Sequence, residues 1–201
     1  MPFTPFHMGP GLLIKAAMQG AFSLMVFGWA QIVMDVQPLV VILTGEGHLH
    51  GFTHTWIGAS LLGIASALSG KYLSEFGLRL MGCHRLVPIV WPVAVLSAFV
   101  GTFSHVLLDG IMHADVEPFW PFSRDNALLG LLSVRAMHWF CLGSGLVGAV
   151  LYFIVARRRV ARGGGGVPGP PQEATRGGRG SPPSAPQTTR RSSSAPRRCS
   201  R

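Results

Sequence analysis

Four long apolar stretches dominate the chain, and they limit what it can fold into. Residues 21–44 are apolar except for Gln31, Asp35 and Gln37, and residues 56–70 continue a segment that starts near Gly51. Residues 86–112 contain the run IVWPVAVLSAFVGTF, and residues 137–156 lead straight into Arg157, Arg158 and Arg159. A helix that crosses the hydrocarbon core of a bilayer needs about 20 mostly apolar residues. Inside lipid, each backbone polar group must find its partner within the protein. The stretches therefore predict an all-α fold, a polytopic helical membrane bundle of about four spans. A shorter apolar piece, residues 8–18 with Lys15, reads as an N-terminal half-span or surface helix. Residues 1–10 lack a basic n-region and no small-residue cleavage site closes an apolar run, so no signal peptide is expected.

Charge is distributed to match. Only 12% of residues are charged, yet the formal net charge is +9. From Arg157 onward there are eleven arginines and a single acid, Glu173, whereas residues 1–156 hold six basic and seven acidic residues. The basicity belongs to a tail, which argues against a soluble basic domain and against a specific nucleic-acid partner. Residues 157–201, rich in Gly, Pro, Ser and Arg, cannot bury enough apolar surface to offset their chain entropy and are expected to be disordered. Residues 1–156 form the expected membrane-embedded domain, with membrane lipid as its partner. Basic residues favour the cytoplasmic side. Lys71, Arg79 and Arg85, read as a loop, and the Arg157 cluster share one side if each span crosses once. The tail is then cytoplasmic, and the histidine-rich end faces outward or sits just below that surface.

Seven of the eight histidines fall near that end: His7, His48, His50, His54, His105, His113 and His138. Ionisable groups in a membrane are costly, so they pair, line water or bind something. In SHVLLDGIMHAD, His105, Asp109 and His113 recur every fourth residue, a spacing that drifts only about 40° around a helix. One face thus presents imidazole, carboxylate and imidazole, the borderline donors a divalent metal such as zinc takes. The competing reading is a run of interfacial polar groups. In HLHGFTHT, Gly51 precedes an apolar run, so His54 is expected at the first turn of a helix and is favoured as a ligand over His50 and His48. Asp35, in QIVMDVQPLVVIL, is a carboxylate in an apolar setting that a bound cation or a protonated histidine would relieve. Pro38 follows it, and a bend there could turn Asp35 inward. His138, beside Trp139, reads as interfacial, and His84 and Cys83 as loop residues. Three widely spaced cysteines give no cysteine zinc site.

The opening MPFTPFH, the GFTHT block and SHVLLDGIMHAD followed by PFWPFS resemble bacterial YdjM-like membrane proteins described as metal-dependent hydrolases. The resemblance covers residues 1–156 and implies residence in the bacterial inner membrane. It also implies a site in which His7, Asp35, His54, Ser104-His105 and Asp109 stand at the family's motif positions. Thr55 replaces the family's serine after His54, and Leu49-His50 replaces its His-Arg. A more distant likeness is one of ligand order. Zinc-dependent phospholipases C run His, Asp, His, His-x3-Asp, His, His-x3-Glu, and this chain offers His7, Asp35, His54, His105 with Asp109, His113 and His138. Leu142 stands where the glutamate would be, so a full trinuclear set is not expected. The function these resemblances imply is metal-assisted hydrolysis of a phosphoester or lipid-like, amphiphilic substrate. The metal would be a divalent ion, zinc by donor type, bound by His7, Asp35, His54, His105, Asp109 and His113, with Asp35 and Asp109 as the catalytic acids. Two other classes compete: an ion- or proton-conducting or scaffold membrane protein, and a haem carrier using paired histidines.

Overall fold

A computed structural model of the chain describes residues 4–163, with no strand among the described residues. Six α-helices follow one another: α1 Thr4–Met18, α2 Leu24–Met34, α3 Val36–Thr44, α4 Trp56–Leu80, α5 Trp91–Met112 and α6 Val134–Gly163. Helices α2, α4 and α5 pack on one another, and α1 lies along α6. The all-helical fold is the one the apolar runs predict.

Local chemistry sets the helix ends. Ser23 caps α2 by accepting the Val26 N–H at 3.4 Å, and Thr55 caps α4 by accepting the Gly58 N–H at 2.9 Å. Such caps satisfy backbone donors that have no partner in the first turn. The first long apolar run is one stretch in sequence but two helices in space. Pro38 has no N–H to give the Met34 carbonyl, so the regular ladder cannot continue through residues 34–38. Asp35 becomes the joint, and Pro38 sits buried in the first turn of α3. Gly45, at φ +74°, takes the left-handed conformation that ends α3 and returns its N–H to the Val41 carbonyl at 2.8 Å.

Leu24–Thr44, Trp91–Met112 and Val134–Arg158 are long and apolar enough to cross a membrane. Helix α4 is 25 residues long, but Lys71, Glu75, Arg79 and many small residues dilute its hydropathy. Three stretches thus qualify where about four are expected. Nor does Lys71 lie in a loop. It is buried within α4, its ammonium 2.5 Å from Glu75 one turn on, and Glu75 also accepts the Ile89 N–H at 3.0 Å. The end of α6 differs as well: the helix passes Ala156 and the Arg157 cluster and reaches Gly163, the last described residue. The expected domain boundary at 156/157 falls inside that helix, and the rest of the expected tail lies outside the described residues.

The interior is built for close approach. The buried residues of α4 (Gly58, Ala59, Gly63, Ser66, Ala67, Gly70) and of α5 (Ala94, Ser97, Ala98, Gly101, Thr102) are small; Gly63 lies against Thr102 and Phe99 of α5, and Gly70 against Trp29 and Val26 of α2. A Cβ on Gly101 would stand 2.8 Å from Ala30 Cβ and 3.1 Å from the Phe27 carbonyl oxygen, so glycine lets α2 lie against α5. Large apolar side chains such as Leu43, Phe76, Leu146 and Phe153 are exposed. That distribution suits a helix solvated by lipid on its outer side.

Candidate metal centre

The buried stripe of α5 continues from Gly101 and Thr102 to His105 and Asp109, so the four-residue spacing aims both side chains into the bundle. Asp35 arrives from the α2–α3 joint. His54 arrives from the short 3-10 turn Phe52–His54, which is tied down by the Trp56 N–H donating to the Pro118 carbonyl at 2.9 Å. One donor atom from each of Asp35, His54, His105 and Asp109 lies within 4.8 Å of all the others. His105 Nε2 is 3.2 Å from Asp109 Oδ2 and 3.3 Å from Asp35 Oδ1, and His54 Nε2 is 3.4 Å from Asp109 Oδ2. Metal–ligand bonds of about 2.0–2.2 Å in a tetrahedron place neighbouring donors about 3.3–3.6 Å apart. The residues fit the group: the three measured separations lie at or next to that range.

The imidazoles are also presented the right way round. His105 Nδ1 lies 2.6 Å from Gln31 Oε1. The amide orientation of Gln31 is fixed because its Nε2 donates to the Gly101 carbonyl at 3.0 Å. An amide oxygen only accepts, so Nδ1 of His105 carries the proton and Nε2 of the neutral ring is a bare lone pair. His54 Nδ1 is held 2.9 Å from Thr53 Oγ1, which turns its Nε2 to the same place. Both Nε2 atoms are buried without a hydrogen-bond partner among the described residues. An outer partner on one ring nitrogen, which leaves the other nitrogen's lone pair for the ion, is the usual arrangement of metal-binding histidines.

Asp109 faces a second group through its other oxygen. His7 Nε2 lies 3.5 Å and His113 Nδ1 3.7 Å from Asp109 Oδ1. His7 packs edge-on against His105 at 4.7 Å between ring centroids. All six expected ligands are therefore neighbours, although His7 is in neither set of mutually close donors. The second such set is His50, Asp109 and His113. Sequence reasoning set His50 aside, yet it is buried, 6% exposed, with Nδ1 2.8 Å from Asp115 Oδ2. Burial alone would raise the Asp115 carboxyl, but the hydrogen bond and charge of His50 outweigh it and hold the group below the ordinary carboxylate value. The available signal was the pairing of HLHG with the HAD that ends the helix motif. Gln31 was also missed, and its only mark is a hydrogen-bonding side chain one helical turn before Asp35. His48, His84 and His138 are exposed and stand outside the cluster, with His138 Nδ1 2.7 Å from the carbonyl of Val134.

The cluster lies at one end of the helices. Helices α4 and α5 run from and to it, leaving Arg79 and Arg85 at their far ends. Phe6 stacks on His138 at 4.9 Å, which puts the start of α6 beside the cluster and Arg157 about 35 Å along the helix from it. Membrane-length apolar helices enclosing a carboxylate–imidazole centre define a membrane protein with a buried polar site. The family follows from the sequence: residues 12–164 match the model of the YdjM inner membrane protein family, and the chain belongs to it. That match starts after His7. No curated protein and no solved structure matches the chain.

Proposed function

We propose that this chain is a membrane-bound metal-dependent hydrolase acting on a phosphoester or related ester of an amphiphilic molecule. The observation that carries the reading is the convergence of donors from Asp35, His54, His105 and Asp109 within 4.8 Å of one another, with two buried imidazole Nε2 atoms that have no hydrogen-bond partner among the described residues. Two imidazoles and two carboxylates suit zinc, and also manganese or iron. A cation held there would lower the pKa of a water and polarise a phosphoryl or carbonyl oxygen. His54 and His105 would hold the ion through Nε2, and Gln31 and Thr53 keep the two rings in register. Asp109 binds through Oδ2, while its Oδ1 faces His7 and His113. Asp35, with the more open side chain (17% exposed against 7% for Asp109), orients the attacking water and accepts its proton. Helix α5 and the small-residue interface with α4 exclude bulk water from the inner side.

The same reading places the protein as a multi-pass inner membrane protein. Its histidine end lies towards the outer leaflet, and Arg79, Arg85 and the Arg157 cluster lie on the cytoplasmic side. The main rival is a proton- or cation-conducting protein, because a protonated His105 between Asp35 and Asp109 would also satisfy the carboxylates. A haem carrier suits the cluster less well: His54 and His105 rings stand 5.2 Å apart in direct contact, with no room between them for a macrocycle.

Metal analysis of detergent-purified protein tests the proposal, alongside turnover of chromogenic phosphoesters and carboxylic esters. Wild type should hold stoichiometric zinc, manganese or iron, and a folded His105→Ala/Asp109→Ala variant should lose both metal and turnover. Equal, sub-stoichiometric metal in the two proteins would overturn it. Metal without turnover on any ester would favour the conducting or scaffold role.

A further inference from the structure

We propose a second cation seat beside the first, built from His50, His113 and the Oδ1 oxygen of Asp109, so that Asp109 bridges two metals. The inference rests on the metal-centre reading above and adds ligands and a stoichiometry to it. One donor atom from each of the three residues lies within 4.8 Å of the other two. Two histidines and one carboxylate form a ligand set that leaves coordination positions open.

Each ligand is prepared for the role. His50 belongs to the irregular segment before α4, where a histidine would ordinarily be solvated, yet its side chain is only 4% exposed. Its Nδ1 donates to Asp115 Oδ2 at 2.8 Å. Asp115 thus plays for His50 the part that Gln31 plays for His105, fixing the proton on Nδ1 and freeing Nε2. His113 stands at the C-terminal cap of α5, where its N–H closes the helix onto the Asp109 carbonyl at 2.8 Å. Asn126 Nδ2 donates to the His113 carbonyl at 3.2 Å and to that of Gly110 at 2.8 Å, which pins the backbone behind the ring. His113 Nδ1 is buried without a hydrogen-bond partner, 3.7 Å from Asp109 Oδ1. The His50 and His113 rings lie against each other at 4.6 Å, and His50 meets His54 at 4.9 Å. The second seat is therefore continuous with the first.

The bridging carboxylate gives the arrangement its logic. Asp109 Oδ2 faces His54 and His105, and Oδ1 faces His113 and His7. A carboxylate shared in this way holds two cations about 3.5–4 Å apart, the spacing that clamps both oxygens of a displacement at phosphorus. In the first seat, His54, His105 and Asp109 would hold the cation and leave a position for the water that Asp35 orients. The second takes three, and its His113 side chain is 22% exposed while that of His50 is 4% exposed.

The test is a titration of chelator-stripped, detergent-purified full-length protein with Mn²⁺, read by bound-metal stoichiometry and by electron paramagnetic resonance. Wild type should bind two equivalents and show the exchange-coupled spectrum of a manganese pair. His50→Ala and His113→Ala should each bind one equivalent and give an isolated-ion spectrum. His54→Ala should lose the other equivalent. One equivalent in wild type, unchanged by His50→Ala and His113→Ala, would overturn the second seat and leave the first metal site standing. No bound manganese in wild type would overturn both. Because the wild-type spectrum alone reports the pair, the inference remains testable if a variant fails to fold.

Discussion

Replacing Gln31 by leucine probes the centre without touching a ligand. The His105 and Gln31 side chains are fully buried and meet at 2.6 Å. Leucine fills similar space but offers no acceptor. The Gly101 carbonyl loses one donor yet keeps the Ser104 hydroxyl at 3.0 Å, so the group left stranded is His105 Nδ1–H. Leaving a buried donor unsatisfied costs about 1–3 kcal/mol. If the proton moves to Nε2 instead, it blocks the lone pair a cation needs. On either route affinity falls, and about 1.4 kcal/mol per decade converts the cost into roughly a 10–100-fold weaker metal complex. The assay is competition against a chromogenic chelator in detergent, with far-UV circular dichroism of the metal-free proteins to show that the helices survive. Gln31→Glu, which retains an acceptor oxygen for His105 but sets its other oxygen against the Gly101 carbonyl, should bind more tightly than Gln31→Leu. A folded Gln31→Leu protein binding within about twofold of wild type would refute the argument that Gln31 sets the His105 tautomer.

Three further outcomes follow from the same geometry. Stripping the metal should lower the thermal unfolding midpoint, since a ligand present at about 100 times its dissociation constant stabilises by about 2.7 kcal/mol; an unchanged midpoint with and without chelator would count against a resident ion. Gly101→Ala should destabilise by about 1–3 kcal/mol because α2 must move to admit the methyl group, whereas Gly20→Ala, which meets nothing within 4 Å, should leave the midpoint in place. Lys71→Met should cost on the order of 3 kcal/mol by stranding buried Glu75, and adding Glu75→Gln should recover part of it, as read by thermal unfolding in detergent.

Much of the cluster is legible in the chain because several of its residues announce themselves locally. The spacing of His105 and Asp109 aims them along one face of any helix, and a carboxylate three residues before a proline in an apolar run demands a bend and a partner. The residues that evade such reading do so for a common reason. Gln31 looks like a tolerated polar residue until a histidine 74 positions later is set against it. His50 looks like a turn residue until Asp115, 65 positions away, captures its Nδ1. Each depends on a contact that no local pattern encodes.

The chain by itself determines the helical, lipid-facing character of the protein, because hydropathy and the need to satisfy backbone hydrogen bonds act over a single segment. It also determines the break at Asp35, through the N–H that Pro38 lacks. The tertiary structure alone decides which polar groups share a point in space. That depends on the rotation of each helix about its own axis, on the glycine that lets α2 approach α5, and on the loop contacts that carry His50 and His113 to Asp109.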